Sequence, residues 1–353
     1  MMRFLPIDQT RGLAIFAMVL AHFGPGFWER LGLEGPVLDG LLLIGRFATP
    51  TFIAIFGFTL AFAYLDKART NPKAVRAKLF SRSYLVLLAA VVVAIPEIVT
   101  TFQFQKYWGG SIFLNLFLDL YGVLLFYTFA IFFAGLFISF LAQSPYVLPA
   151  IMGAAAIFIG TFLGYDAWPS QGQSVAEIVR LYLVSGKYAF FTNFGMALML
   201  ASLGWHMKNL LKTGVALGPI LLAIGSIMLL LALSMGRIVG WRTFSQLHSG
   251  YDAPPQLWYL MMVAGVMLII MGLLDRVRIP FVSTFLEHTG RNPLSIYVSH
   301  AFVLPGVSLL RFAFPTLPQV VHIAIPLAIF LFYWAFIITT SIRVESTDRP
   351  TRS

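Results

Sequence analysis

Apolar residues fill stretches of about twenty positions, broken by short polar segments, along almost all of the 353-residue chain. A bilayer core about 30 Å thick needs about 20 consecutive, mostly apolar residues in helical form. The pattern predicts ten such spans, at about 9–27, 41–64, 80–99, 112–140, 146–164, 186–205, 214–234, 256–274, 291–312 and 320–341. The fourth is too long for one untilted crossing, and its start near 114–121 reads as an interfacial piece. The predicted fold is an all-α polytopic membrane protein: one transmembrane domain over residues 1–344 and a short polar tail over 345–353. No internal repeat is visible, nor the paired broken helices that mark many transporters.

Composition agrees with this pattern. The chain is 59% hydrophobic and 11% charged, against about 25% charged in soluble domains. With no cysteine, disulfides and thiolate chemistry are excluded. The six histidines show no HExxH or comparable spacing, so no metal site and no bound cofactor are expected. The net charge of +10 is read as attraction to anionic lipid rather than to nucleic acid. Sixteen of the 24 lysines and arginines fall on the side of the chain termini, seven on the other, and Arg46 within a span. The positive-inside rule therefore puts both termini in the cytoplasm of a multi-pass cell (inner) membrane protein. His22-Phe-Gly-Pro-Gly follows the first apolar run where a signal peptide would carry a small-residue cleavage site, so a retained first helix is expected.

The polar positions that interrupt the spans are few. Arg11 and His22 stand eleven residues apart in RGLAIFAMVLAH. At 3.6 residues per turn they share a face, roughly 16 Å apart along the axis. Arg11 then lies at a headgroup layer and His22 near mid-bilayer, where an ionisable group is a functional candidate by default. The structural alternatives are a snorkelling anchor for Arg11 and a helix-packing hydrogen bond for His22. Asp8, one turn before Arg11, reads as the helix N-cap in preference to a partner of Arg11.

Arg46, in Gly45-Arg46-Phe47-Ala48-Thr49-Pro50, is either an interfacial arginine or a charge lining a cavity. The basic run Lys67–Arg82 reads mostly as a solvated, lipid-facing loop that obeys the inside rule; within it Arg76, Lys78 and Arg82, beside the third span, are candidates for binding the phosphates of a cytoplasmic donor. Asp119, within an apolar segment, needs a partner; it either helps hold an acceptor near the outer face or is interfacial and solvated. Asn292, Tyr297 and His300 open the ninth span and can donate and accept in a dry interior. Interhelical hydrogen bonding is their bland role.

Taken in order, these motifs resemble the transmembrane acyltransferase superfamily, the acyltransferase-3 proteins and the bacterial relatives of heparan-α-glucosaminide N-acetyltransferase. Arg11 with His22 looks like the family's Arg-x10-His signature. Gly45–Gly57 is similar to its second-helix pattern. Pro254-Pro255-Gln256-Leu257 looks like the Pro-Pro-x-Leu of the heparan-type branch, and Gly290–His300 is similar to the closing Gly-x-x-x-Leu-x-x-Tyr-x-x-His.

The resemblance implies acyl-CoA as a cytoplasmic co-substrate and a glycan or glycolipid acceptor reached from the outer side. His22 would be catalytic, with Arg11 its partner on the donor side. The expected activity is O- or N-transfer of an acetyl or succinyl group. The alternatives are a transporter or exporter of a glycan or small anion, and a membrane acyltransferase of the class that modifies proteins or lipids. Oligomeric state is left open, a homodimer included.

Overall fold

The computed structural model describes residues 4–30, 36–103, 122–166, 175–240 and 255–347. Every element among these is helical. Helix α1 (Leu5–Arg30) is followed by α2 (Pro36–Leu60), which runs through a π-helical turn (Ala61–Leu65) into the short α3 (Asp66–Thr70). Then come α4 (Pro72–Gln103), α5 (Val123–Gln143) and α6 (Val147–Asp166), and a short α7 (Val175–Arg180). The second half holds α8 (Phe190–Lys212), α9 (Leu217–Ile238), α10 (Leu257–Arg276), α11 (Pro280–Arg291), α12 (Pro293–Ala301), α13 (Val303–Ala313) and α14 (Gln319–Thr347).

Within the described residues, each of the ten predicted spans falls on a helix or on a consecutive pair of helices; residues 112–121 of the fourth lie outside them. Among the described residues, eight segments are long and apolar enough to cross a membrane; α1 and α8 are not among them. For α8 the reason is visible in its surroundings. The faces of α8 are largely buried against protein, and its Thr192 and Asn193 are fully buried. Asn193 donates to the Ala189 carbonyl at 2.9 Å. A helix shielded from lipid can carry such groups, because its neighbours and its own backbone satisfy them. By contrast α4, α6 and α14 leave Leu85, Phe158 and Phe332 exposed, as lipid-facing helices do. The expected interfacial piece near 114–121 lies outside the described residues.

Local chemistry sets several helix ends. Asn71 precedes α4, and its side-chain oxygen accepts the Ala74 N–H at 3.0 Å. Pro72 follows at the first helical position, where its missing N–H costs nothing. The π-helical turn at Ala61–Leu65 disturbs the regular ladder of carbonyl partners, and a side chain fills in. The Lys208 ammonium, from α8, donates to the Phe62 carbonyl at 2.8 Å and the Ala61 carbonyl at 3.4 Å. It also lies 2.7 Å from the Asp66 carboxylate, which Lys212 meets at 3.0 Å. Buried lysine is tolerated here because it is paired and hydrogen-bonded.

The largest core cluster joins α2, α8 and α10, with Phe58, Leu65, Ala201 and Met267 essentially inaccessible. Helices meet closely through small residues, as in other membrane bundles. The Gly225–Gly265 and Gly218–Gly272 contacts pair α9 and α10 in antiparallel register.

Lys208→Ala should lower the thermal midpoint of the detergent-purified protein, by about 1–3 kcal/mol of stability, the scale for stranding buried hydrogen-bonding groups. Lys208→Met should recover only the packing share. An unchanged midpoint in Lys208→Ala would show that the π turn is satisfied without the ammonium.

Candidate functional site

Helix α1 starts at Leu5, earlier than its capping pattern suggested, so Asp8 sits inside the first turn. It is not the N-cap. Its carboxylate accepts from Arg11 at 3.1 Å. The Arg11 guanidinium also donates to the Gly290 carbonyl at 3.0 Å and to the Thr59 hydroxyl at 2.5 Å. Thr59 in turn donates to the Ile55 carbonyl at 2.9 Å. Arg11 thus binds α1 to α2 and to α11.

This clamp needs the helices to touch. A Cβ at Gly290 would lie 1.8 Å from the Asp8 carbonyl oxygen, and one at Gly12 would lie 2.0 Å from that of Leu286. No other residue type fits at either position without separating α1 from α11. The glycines of Gly45–Gly57 have the same explanation. A Cβ at Gly45 would strike Ala21 of α1, and one at Gly57 would lie 2.0 Å from the Ala197 carbonyl oxygen of α8.

A cavity of about 510 Å3 lies against this junction. At one end it is lined by Asp8, Arg11, Arg82 and Arg291. Arg82 sits over the Tyr64 ring, 5.7 Å from its centre, and Arg291 pairs with Glu287. The walls are mainly apolar, with Phe52, Phe56, Leu79, Val86, Leu124 and Ile131 among them. Tyr127 also lines the cavity and keeps a buried hydroxyl with no protein partner. Met18 and Tyr297 complete the lining, each one turn before a histidine.

Those histidines are His22 and His300. Their rings meet edge to face with centres 5.0 Å apart. His300 is buried, at 3% exposure, while His22 is exposed. The Nδ1 of His300 lies against the Tyr297 carbonyl. A carbonyl only accepts, so Nδ1 carries the proton, and a neutral ring has its lone pair at Nε2. The rings of Tyr297 and Phe23 pack on His300 at 5.0 and 6.2 Å between centres.

The other described histidines are engaged elsewhere: His288 with the Ser341 hydroxyl, His322 with the Phe314 carbonyl, and His206 against the Tyr146 ring. Among the described residues no group of three or more His, Cys, Asp or Glu is placed to hold a metal ion.

The sequence candidates therefore separate. Arg11, Arg82 and Tyr297 line the cavity, and His22 and His300 pair beside it. Arg76 turns the other way and donates to the Ser139 hydroxyl of α5 at 3.1 Å. Lys78 is exposed and does not line the cavity. Asn292 donates to the His288 carbonyl at 3.0 Å, closing α11. Asp119 and the side chain of Arg46 lie outside the described residues. Sequence reasoning did not single out Thr59, Tyr64 or Tyr127, and counted Arg291 only as an inside charge. Nothing in their local sequence marks them; they meet through the packing of α1, α2, α4, α5 and α11.

Gly290→Ala should destabilise the protein by at least about 1–3 kcal/mol, the usual cost of overpacking, seen as a lower unfolding temperature in detergent. An unaltered unfolding temperature would mean that α1 and α11 separate at no cost.

Residues 3–171 match the family model described as heparan-alpha-glucosaminide N-acetyltransferase, catalytic. No curated protein and no solved structure matches the chain. The matched region contains Arg11 and His22 but not Gly290–His300, which only the fold brings to them. The match over residues 3–171, just under half of the chain, supports its likeness to the transmembrane acyltransferases that the ordered motifs also resemble.

Proposed function

We propose that the protein moves an acyl group, acetyl or succinyl, from cytoplasmic acyl-CoA to a hydroxyl or amine of an envelope glycan or glycolipid, in the inner membrane. One observation carries the reading: a single cavity has guanidinium groups at one end and stops one turn short of the His22–His300 pair. Its shape and polarity suit a long donor with an anionic head and a reactive tail.

The head would meet Arg82 and Arg291, since guanidinium groups bind phosphate oxygens in pairs. Arg76 and Lys78 would act only through the field of the basic loop. The apolar middle would hold the donor's arm and exclude water. The thioester would then reach the exposed face of His22. In the transfer step, His22 takes the proton of the acceptor O–H or N–H as that atom attacks the thioester carbonyl. The new C–O or C–N bond forms, the C–S bond breaks, and the CoA thiolate takes the proton back from His22. His300 touches His22 and not the reactants, so its role is to position that ring. Arg46 and Asp119 remain proposals for the acceptor side.

The test is thermal stability of the purified protein with acetyl-CoA, succinyl-CoA and free CoA, followed by an assay of CoA release with an acceptor. Ligand at 100 times its dissociation constant should add about 2.7 kcal/mol. Arg82→Ala should weaken this shift, and it is a cleaner probe than Arg11, whose removal breaks the helix clamp. His22→Ala should keep the shift and lose CoA release. Full release in His22→Ala would remove His22 from the mechanism. Absence of any shift in a folded sample, with substrate flux into liposomes, would favour the transporter reading.

A further inference from the structure

A second pocket, of about 440 Å3, lies away from the cavity just described. It is lined by Asp66 and Arg69 of α3, Gln143 and the turn to Tyr146 between α5 and α6, and Trp205, Asn209 and Lys212 of α8. It sits beyond Tyr64 along α2 and α3, on the side the charge distribution assigns to the cytoplasm.

Its charges do not cancel. Asp66 is the lone acid in the lining, and it is already occupied by Lys208 and Lys212. An ammonium has three donors, so Lys212 keeps capacity after that contact. Arg69 has no hydrogen-bond or ion-pair partner among the described residues, leaving a whole guanidinium fork unused. Both ammonium groups stand 5.6 Å from the centre of the Trp205 ring. The Trp205 indole N–H is buried without an acceptor, in a residue that is only 3% exposed. Asn209 donates to the Tyr146 hydroxyl at 2.7 Å, which fixes the polar wall between α6 and α8. Cations and N–H donors in excess of their acceptors call for the oxygens of a phosphate.

The surface beside the pocket says which phosphate. Phe137 and Phe140 at the end of α5, and Val147 and Ile151 at the start of α6, are all exposed. They flank the Gln143–Tyr146 turn, so an apolar strip begins where the polar pocket ends. A free phosphate has no use for that strip, whereas a lipid lays its acyl chains there. We infer that this pocket binds the phosphate headgroup of an anionic phospholipid from the cytoplasmic leaflet, with Arg69 and Lys212 as the charged contacts and the α5–α6 strip under the chains. Basic pockets between transmembrane helices on the cytoplasmic side recognise anionic lipid in this way.

The experiment uses the full chain, delipidated in detergent and titrated with phosphatidylglycerol, phosphatidylcholine or inorganic phosphate while its unfolding temperature is followed. Phosphatidylglycerol should raise that temperature and phosphatidylcholine should not. In Arg69→Gln the half-maximal phosphatidylglycerol concentration should rise roughly tenfold, as expected for loss of a charge-assisted contact. The lipid-free stability should stay as it was, because Arg69 supports nothing else. Equal effects of the two lipids, or an undiminished phosphatidylglycerol effect in Arg69→Gln, would overturn the site. An equal effect of inorganic phosphate would assign it to a soluble anion and overturn the lipid. None of these readouts depends on acyl transfer.

Discussion

Two helix backbones in contact, α1 against α11, set the geometry on which the candidate site depends. Their antiparallel crossing is possible only because Gly12 and Gly290 leave no side chain between them. Arg11 then closes the contact by donating across it to the Gly290 carbonyl. In a bundle whose surroundings are as apolar as its own side chains, the hydrophobic effect gives little reason for two helices to choose a particular register. Close backbone packing and a charge-assisted hydrogen bond give one. The same guanidinium reaches Thr59 on α2, so a single side chain fixes the height of three helices.

That register determines what happens three turns further along α1. Because α1 continues unbroken to Arg30, fixing Arg11 also fixes His22. The α11–α12 connection, ended by Asn292 and restarted by Pro293, then delivers His300 to the same height. The two imidazoles play unequal parts: His300 is buried and its Nδ1 is tied to its own helix, while His22 presents an open face. Such an arrangement holds the exposed ring with a neighbour that does not itself compete for a reactant.

Much of this was legible in the sequence, and the limits have physical causes. Span positions follow from apolar length, which lipid imposes directly, and the shared face of Arg11 and His22 follows from helix geometry. The role of Arg11 was only half legible. Its position on α1 puts it at a headgroup layer on the face that His22 shares, but its partner carbonyl is 279 residues away and has no side chain to announce it. Arg76, Lys78 and Arg82 look alike in sequence because all stand on one basic segment; only the placement of α5, whose Ser139 takes Arg76, separates them. Tyr127 is invisible among 34 phenylalanines and 13 tyrosines, since nothing local distinguishes a ring that borders a cavity from one that fills a core. The capping role read for Asp8 failed for a related reason. A carboxylate one turn from an arginine satisfies either geometry, and the helix beginning at Leu5 decided between them.

The division of labour among the guanidinium groups bears on how activity is to be read. Arg11 spends three hydrogen bonds on holding helices, Arg291 is paired with Glu287, and Arg82 rests on a tyrosine ring. A donor phosphate arriving at Arg11 would compete with Asp8 and with the Gly290 carbonyl, whereas at Arg82 it competes with little. Burying an arginine in a structural clamp does not remove its charge, and Arg11 still contributes its field to the mouth of the cavity. Its conservative replacement by lysine would keep that field yet lose the forked geometry that reaches two neighbouring helices at once. In this architecture the hydrogen bonds of Arg11 set the register of α1 against α2 and α11, and the meeting of the His22 and His300 rings rests on that register.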